Sequence, residues 1–144
     1  MTFTDTHCHL ADPKLADTLP AVLAEAQAVG VARFIVPATS PKDWQAVAQL
    51  ERPSENIHIA LGIHPWFSDG LTEAAFQELE SELIQHPQAW VGEIGLDFYG
   101  KEQTQAQRDT QTEVFIRQLI LAQNLNRRVI IHNLKATAAI TAAV

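Results

Sequence analysis

The chain is 144 residues long and carries 10 Lys and Arg against 17 Asp and Glu, a formal net charge of −7. Its 47% hydrophobic and 19% charged residues are those of a folded globular protein and exclude a disordered or fibrous one. The length suits one domain with a sizeable core but falls short of the about 250 residues of a complete β/α barrel, and the acidic balance argues against a broad basic footprint for nucleic acid.

Thr2 to Thr6 reads as a short strand that ends in His7-Cys8-His9. Apolar residues then recur at Leu15, Leu19, Val22, Leu23 and Ala26, which is helical spacing, and Gly30 supplies the stop. Val31 to Val36 is the second strand, closed by Pro37. Ser40-Pro41-Lys42-Asp43 resembles a capping box with proline at the first helical position, opening a helix that carries Trp44, Val47 and Leu50. Asn56 to Gly62 reads as a third strand, followed by Ile63-His64-Pro65-Trp66. A helix begins at Thr72, with Phe76, Leu79 and Leu83 on one face, and ends near His86-Pro87. Trp90 to Leu96 is the fourth strand. The longest helix, Gln105 to Leu125, has a stripe of Phe115, Leu119 and Ala122; Arg128 to Ile131 is a fifth strand ending at His132, and Ala136 to Val144 starts another helix. Strands alternating with helices in this way predict an α/β fold with a parallel sheet. The continuously apolar runs Phe34-Ile35-Val36 and Val129-Ile130-Ile131 suit buried parallel strands.

The single cysteine excludes an internal disulfide framework and fits a reducing, cytoplasmic setting. No basic segment followed by an apolar run opens the chain, so no signal peptide is expected. No stretch reaches the about 18 consecutive apolar residues of a membrane span. A Gly-rich phosphate loop, a G-x-S-x-G turn and a C-x-x-C pair are all absent from the sequence, which leaves P-loop, serine and dithiol chemistry without support.

The polar residues of interest share one position, the C-terminal end of a predicted strand, where ligands bind in parallel α/β folds. His7 and His9 follow the first strand, His64 the third and His132 the fifth, while Glu93 and Asp97 lie on and at the end of the fourth. Alternation along an extended segment points His7 and His9 to the same side, so that both neutral imidazoles reach one ion. It sends Cys8 to the opposite side, as a small core residue. Asp5 shares the histidines' side as a site group or as a buried partner of a ligating imidazole. In Val91-Gly92-Glu93-Ile94-Gly95-Leu96-Asp97, Glu93, Gly95 and Asp97 share a face. A carboxylate in so apolar a strand needs a charge partner or a metal, and Gly95 leaves room beside it for a ligand. The structural alternative for Glu93 is a salt bridge with Arg128 or Lys135. His64 either contacts a substrate phosphate or packs beside Trp66. His58 and His86 read as structural or solvent-facing, and Trp44 and Trp90 as packing residues. Together, the histidines and the carboxylate suit one or two divalent metals.

Asp5-Thr6-His7-Cys8-His9-Leu10, Gly62-Ile63-His64-Pro65, Gly92-Glu93-Ile94-Gly95-Leu96-Asp97 and Val129-Ile130-Ile131-His132 stand in the order seen in the TatD family of metal-dependent deoxyribonucleases, which the chain resembles from Asp5 to about Ala136. The resemblance implies a parallel (β/α) barrel of the TIM type, of which about five of the eight β/α units are present. Residues 1–144 would then be the N-terminal part of a single hydrolase domain that cleaves phosphodiester bonds in DNA by metal-activated water. His7 and His9 would bind one ion, catalytic Glu93 would bridge to a second, His132 would bind that second ion, and His64 would lie near the substrate. Zinc, manganese and magnesium all suit such ligands. The resemblance departs from the family in two places. Asn133-Leu134 stand where the family commonly has Ser and Arg, with Lys135 nearby. The family's further histidine and aspartate have no counterpart, because residues 133–144 contain no His, Asp or Glu. The alternative is therefore a truncated, inactive chain that at most binds metal or associates with a partner chain. Open first and fifth strands would also favour self-association.

Overall fold

The computed structural model describes residues 1–51, 56–100 and 103–144. Five strands, β1 (Phe3–Asp5), β2 (Val31–Pro37), β3 (Ile57–Leu61), β4 (Trp90–Asp97) and β5 (Val129–Leu134), form one sheet in the order β1-β2-β3-β4-β5. Every neighbouring pair is parallel. The order decides between two architectures that periodicity cannot separate. A doubly wound sheet reverses direction at a switch point, whereas right-handed crossovers that always step the same way put every helix on one face. The sequential order is that of an incomplete β/α barrel.

The helices α1 (Leu19–Ala28), α2 (Trp44–Glu51), α3 (Glu73–Gln85), α4 (Gln105–Asn124) and α5 (Thr137–Ala143) follow the strands in turn. The core lies between them and the sheet, with Trp44, Val47, Leu79, Leu83 and Phe115 packed over Val36, Ile59, Leu61, Val91 and Leu96. Among the described residues no helix is long and apolar enough to cross a membrane.

Three local departures have physical causes. The helix expected from Leu15 starts at Leu19, and Leu15 instead closes a short 3-10 turn, Pro13–Leu15. Pro20 lacks an N–H and is tolerated only in a first turn, so no helix runs through it from Leu15. The expected capping box before α2 works through its acid: the Asp43 carboxylate accepts the backbone N–H groups of Thr39 and Ser40 and the Thr39 hydroxyl at 2.7–3.1 Å. Finally, β5 continues through His132 to Leu134, because Gly95, Leu96 and Asp97 of β4 pair with His132, Asn133 and Leu134. His132 is thus a residue within the strand.

The inner face of α4 carries two glutamines that the apolar stripe did not announce. Gln118 is fully buried; its Oε1 accepts the Ile63 N–H at 2.7 Å and its Nε2 donates to the Ile63 carbonyl at 3.1 Å. Two helical turns earlier, Gln111 accepts the Asp97 N–H at 2.9 Å. Buried backbone groups at strand ends need partners, and these two amides supply them where β3 and β4 approach the site.

Candidate metal centre

The chain leaves β1 through His7-Cys8-His9. The Cys8 N–H donates to the Ile35 carbonyl at 3.1 Å, so Cys8 turns inward and both histidines face out above the sheet. Burial pushes the Cys8 thiol up to about 12, which keeps it protonated and unreactive at neutral pH. Asp5 is neither buried nor in contact with an imidazole ring; its carboxylate accepts the His7 backbone N–H at 3.1 Å from an exposed position. Two backbone bonds draw the other loops in: the Glu93 N–H reaches Ala38 at 2.9 Å and the His64 N–H reaches Thr39 at 2.8 Å.

Glu93 occupies the centre of the resulting cluster and is 6% exposed. Its Oε2 lies 3.2 Å from His7 Nε2, and its Oε1 lies 3.0 Å from His132 Nδ1 and 3.9 Å from His64 Nε2. The salt bridge to Arg128 or Lys135 is not formed; Arg128 lies over the Trp90 ring instead. Ligand atoms of His7, His9 and Glu93 all fall within 4.8 Å of one another, as do those of His64, Glu93 and His132. Four imidazoles, two in each set, and a shared buried carboxylate at these separations match the donors a divalent ion takes.

The packing reading of His64 is the one the structure shows directly, and its ring also borders the cluster. It packs edge-on against Trp66, with ring centroids 4.9 Å apart, and its Nε2 points to Glu93. Its Nδ1 accepts the Trp66 backbone N–H at 3.2 Å, so a lone pair must reside there and the neutral ring carries its proton on Nε2. Burial pushes its pKa down to about 4 against the attraction of Glu93, and the ring is neutral at pH 7. His64 therefore presents an N–H to the site, which suits an acceptor such as a phosphoryl oxygen better than a metal ion.

Asp97 belongs to the cluster more firmly than its place at a strand end implied. Its Oδ2 accepts the Trp66 indole N–H at 2.6 Å and lies 3.3 Å from His132 Nε2, while its Oδ1 accepts the Tyr99 N–H at 2.9 Å. Burial alone would raise its pKa; the Tyr99 amide, the Trp66 indole and His132 outweigh burial and hold it below the ordinary carboxylate value. The signal was the shared face with Glu93 two alternations earlier. Trp66, at the cavity wall, had no signal beyond being an aromatic residue after a strand. Gly95 departs from its expected role. The space beside it holds no ligand, because a Cβ there would collide with the His132 carbonyl oxygen. His58 lies on β3 away from the cluster, and His86 pairs with Glu51 at 2.6 Å. Trp44 is buried and donates its indole N–H to Gly62 at 2.8 Å.

His7, His9, Thr39, His64, Trp66, Phe67, Glu93 and His132 line a cavity of about 340 Å³ at the C-terminal end of the sheet. The chain matches the family described as TatD related DNase over residues 4–144. It belongs to this family. It is 33% identical over 133 residues to the Escherichia coli metal-dependent hydrolase YjjV, covering 91% of this chain and 50% of that protein. To human deoxyribonuclease TATDN3 it is 31% identical over 144 residues, covering 92% of this chain and 52% of TATDN3. The crystal structure of the TatD homologue YjjV superposes with a TM-score of 0.86 at 32% identity, over 94% of this chain and 52% of that one. A TatD family hydrolase structure from Entamoeba histolytica gives 0.83 at 19% identity and covers 99% of this chain and 53% of that one, a likeness of fold alone. The chain spans about half the length of these TatD relatives.

Proposed function

We propose that residues 1–144 form the first five units of a single (β/α) barrel hydrolase and carry its divalent-metal site, serving cleavage of phosphodiester bonds in DNA. The observation that carries this reading is the position of Glu93, whose two oxygens each meet a different imidazole, Oε2 that of His7 and Oε1 that of His132. The deoxyribonuclease name of the human relative supports DNA as substrate. His7, His9 and Glu93 would hold one ion, and Glu93 with His132 a second; zinc, manganese and magnesium all fit this donor set. When bound, such ions supply Lewis-acid polarisation of a phosphoryl oxygen and lower the pKa of water. The chain's own residues do the positioning. His64 donates from Nε2 to a substrate oxygen, Asp97 orients the His132 ring, and Glu93 is the catalytic carboxylate common to both ion positions.

Purified 1–144 with magnesium or manganese is expected to cleave single-stranded DNA, and His7→Ala to lower the rate by at least about 100-fold, the loss of one arm of the metal site. Equal, negligible turnover from both proteins withdraws the activity. It would favour the second reading, of a chain that binds metal or a partner without turnover.

We infer a cytoplasmic setting, supported by the single, half-buried cysteine. We also infer self-association through the sheet edges. β1 lies at one edge, exposed along its length with Phe3 53% exposed, and β5 lies at the other with Leu134 at its end. Unpaired edges template further pairing. Sedimentation velocity is expected to show mass rising with concentration, and a monomer at every concentration overturns the inference.

A further inference from the structure

Trp66 is 71% exposed although it forms part of the wall of the metal-site cavity, and Phe67 beside it is 44% exposed. An exposed indole is ordinarily free to change rotamer. This one is held at its edge: its N–H donates to Asp97 Oδ2 at 2.6 Å, and the His64 ring meets it at 74° with centroids 4.9 Å apart. The Asp97 oxygen that anchors it is the same one that lies 3.3 Å from His132 Nε2. The short 3-10 turn Pro65–Phe67, in which Pro65 is buried, stiffens the backbone beneath both aromatics. The ring is thus fixed in orientation relative to His132 and Glu93 while much of its surface stays open to solvent.

A second observation concerns charge. Among the described residues, the cavity lining has no Lys or Arg, and the chain as a whole is acidic at −7. Single-stranded nucleic acid is commonly held by a basic groove together with aromatic side chains on which bases stack. Among the described residues the wall supplies the aromatic half of that pair. A nucleobase has the flat apolar face that a fixed indole accepts, and stacking does not depend on base identity.

We propose that Trp66, supported by Phe67, is a stacking platform for the nucleobase next to the phosphate held at Glu93. Asp97 is the positioning residue that ties this platform to His132. The proposal rests on the phosphodiester reading above and adds to it the part of the substrate that is recognised, the base beside the reacting phosphate.

The test uses the whole chain with manganese and two fluorescein-labelled phosphorothioate strands that resist cleavage, an oligothymidylate and an abasic strand of the same length. Binding is read by anisotropy. The wild-type chain should bind the oligothymidylate more tightly than the abasic strand, by about 5- to 150-fold for one stacked base. Trp66→Ala should bring the oligothymidylate down to the abasic strand's affinity and leave the abasic strand unchanged, while Trp66→Phe should keep most of the difference. In the wild type the oligothymidylate should also quench indole fluorescence saturably, a signal Trp66→Phe removes because Trp44 is buried and Trp90 stands at the opposite, N-terminal end of β4 beneath Arg128. Equal wild-type affinity for the two strands, or an unchanged Trp66→Ala preference, overturns the platform and leaves the phosphodiester reading standing. Binding of neither strand by the wild type overturns both.

Discussion

Replacing Glu93 with alanine is expected to weaken metal binding at both proposed positions, whereas His132→Ala leaves the His7 and His9 position within a few-fold of its original affinity. The asymmetry follows from how the two carboxylate oxygens are shared. Oε2 faces His7 and completes the three-donor set with His9; Oε1 faces His132 and His64. Alanine at 93 therefore removes a donor from each set, while alanine at 132 touches one. Loss of a group that merely orients a ligand costs about 10- to 100-fold in affinity, so loss of the common ligand itself should cost about 100-fold or more. Calorimetric titration with zinc or manganese reads both affinity and stoichiometry. Glu93→Gln keeps the shape of the side chain but removes its charge, and should bind as poorly as Glu93→Ala. Tight binding by Glu93→Ala would remove Glu93 from the centre of the site.

Gly95→Ala should lower stability by about 3 kcal/mol or more, the combined cost of overpacking and backbone strain. Gly95 adopts φ +138°, a region that side chains rarely enter, and an added Cβ would meet the His132 carbonyl oxygen and come within 2.9 Å of the His132 carbonyl carbon and nitrogen. The obstacle is backbone, which cannot rotate away as a side-chain tip would. Gly70→Ala separates the two costs, since Gly70 also has a positive φ of +71° but nothing lies within 4 Å of its added Cβ. It should cost only about 1 kcal/mol, the conformational share. Urea unfolding followed by circular dichroism measures both variants, and equal midpoints for the two would show that the approach of β4 to β5 is not limiting. The clash falls on His132, so Gly95→Ala should also weaken metal binding at the Glu93 and His132 position.

Much of the site was legible because strand periodicity is a local property. A period of two along extended chain puts His7 with His9 and Glu93 with Asp97 whatever the rest of the fold does. Their placement at strand ends follows from the same pattern and from the general location of ligands in parallel sheets. At Gly95 the missing side chain does not leave room for a ligand. Whether that space is open depends on the neighbouring strand, and β5 fills it. The extent of β5 likewise depends on its neighbour, since Asn133 and Leu134 are in a strand by virtue of their pairing with Leu96 and Asp97. Gln111 and Gln118 were invisible because a helix's polar residues ordinarily face solvent, and only the backbone groups at Asp97 and Ile63 give these two a reason to face inward.

By itself the sequence determined the alternation of strands and helices, the order of the four motifs, and which residue types stand at the strand ends, since each depends on spacing along one stretch of chain. Tertiary structure decided which of those side chains meet. It set Glu93 between His7 and His132, fixed the tautomer of His64 through the Trp66 N–H, and anchored an exposed indole to Asp97. These contacts join residues from separate loops, and their distances depend on strand register and close approach, which no local pattern carries.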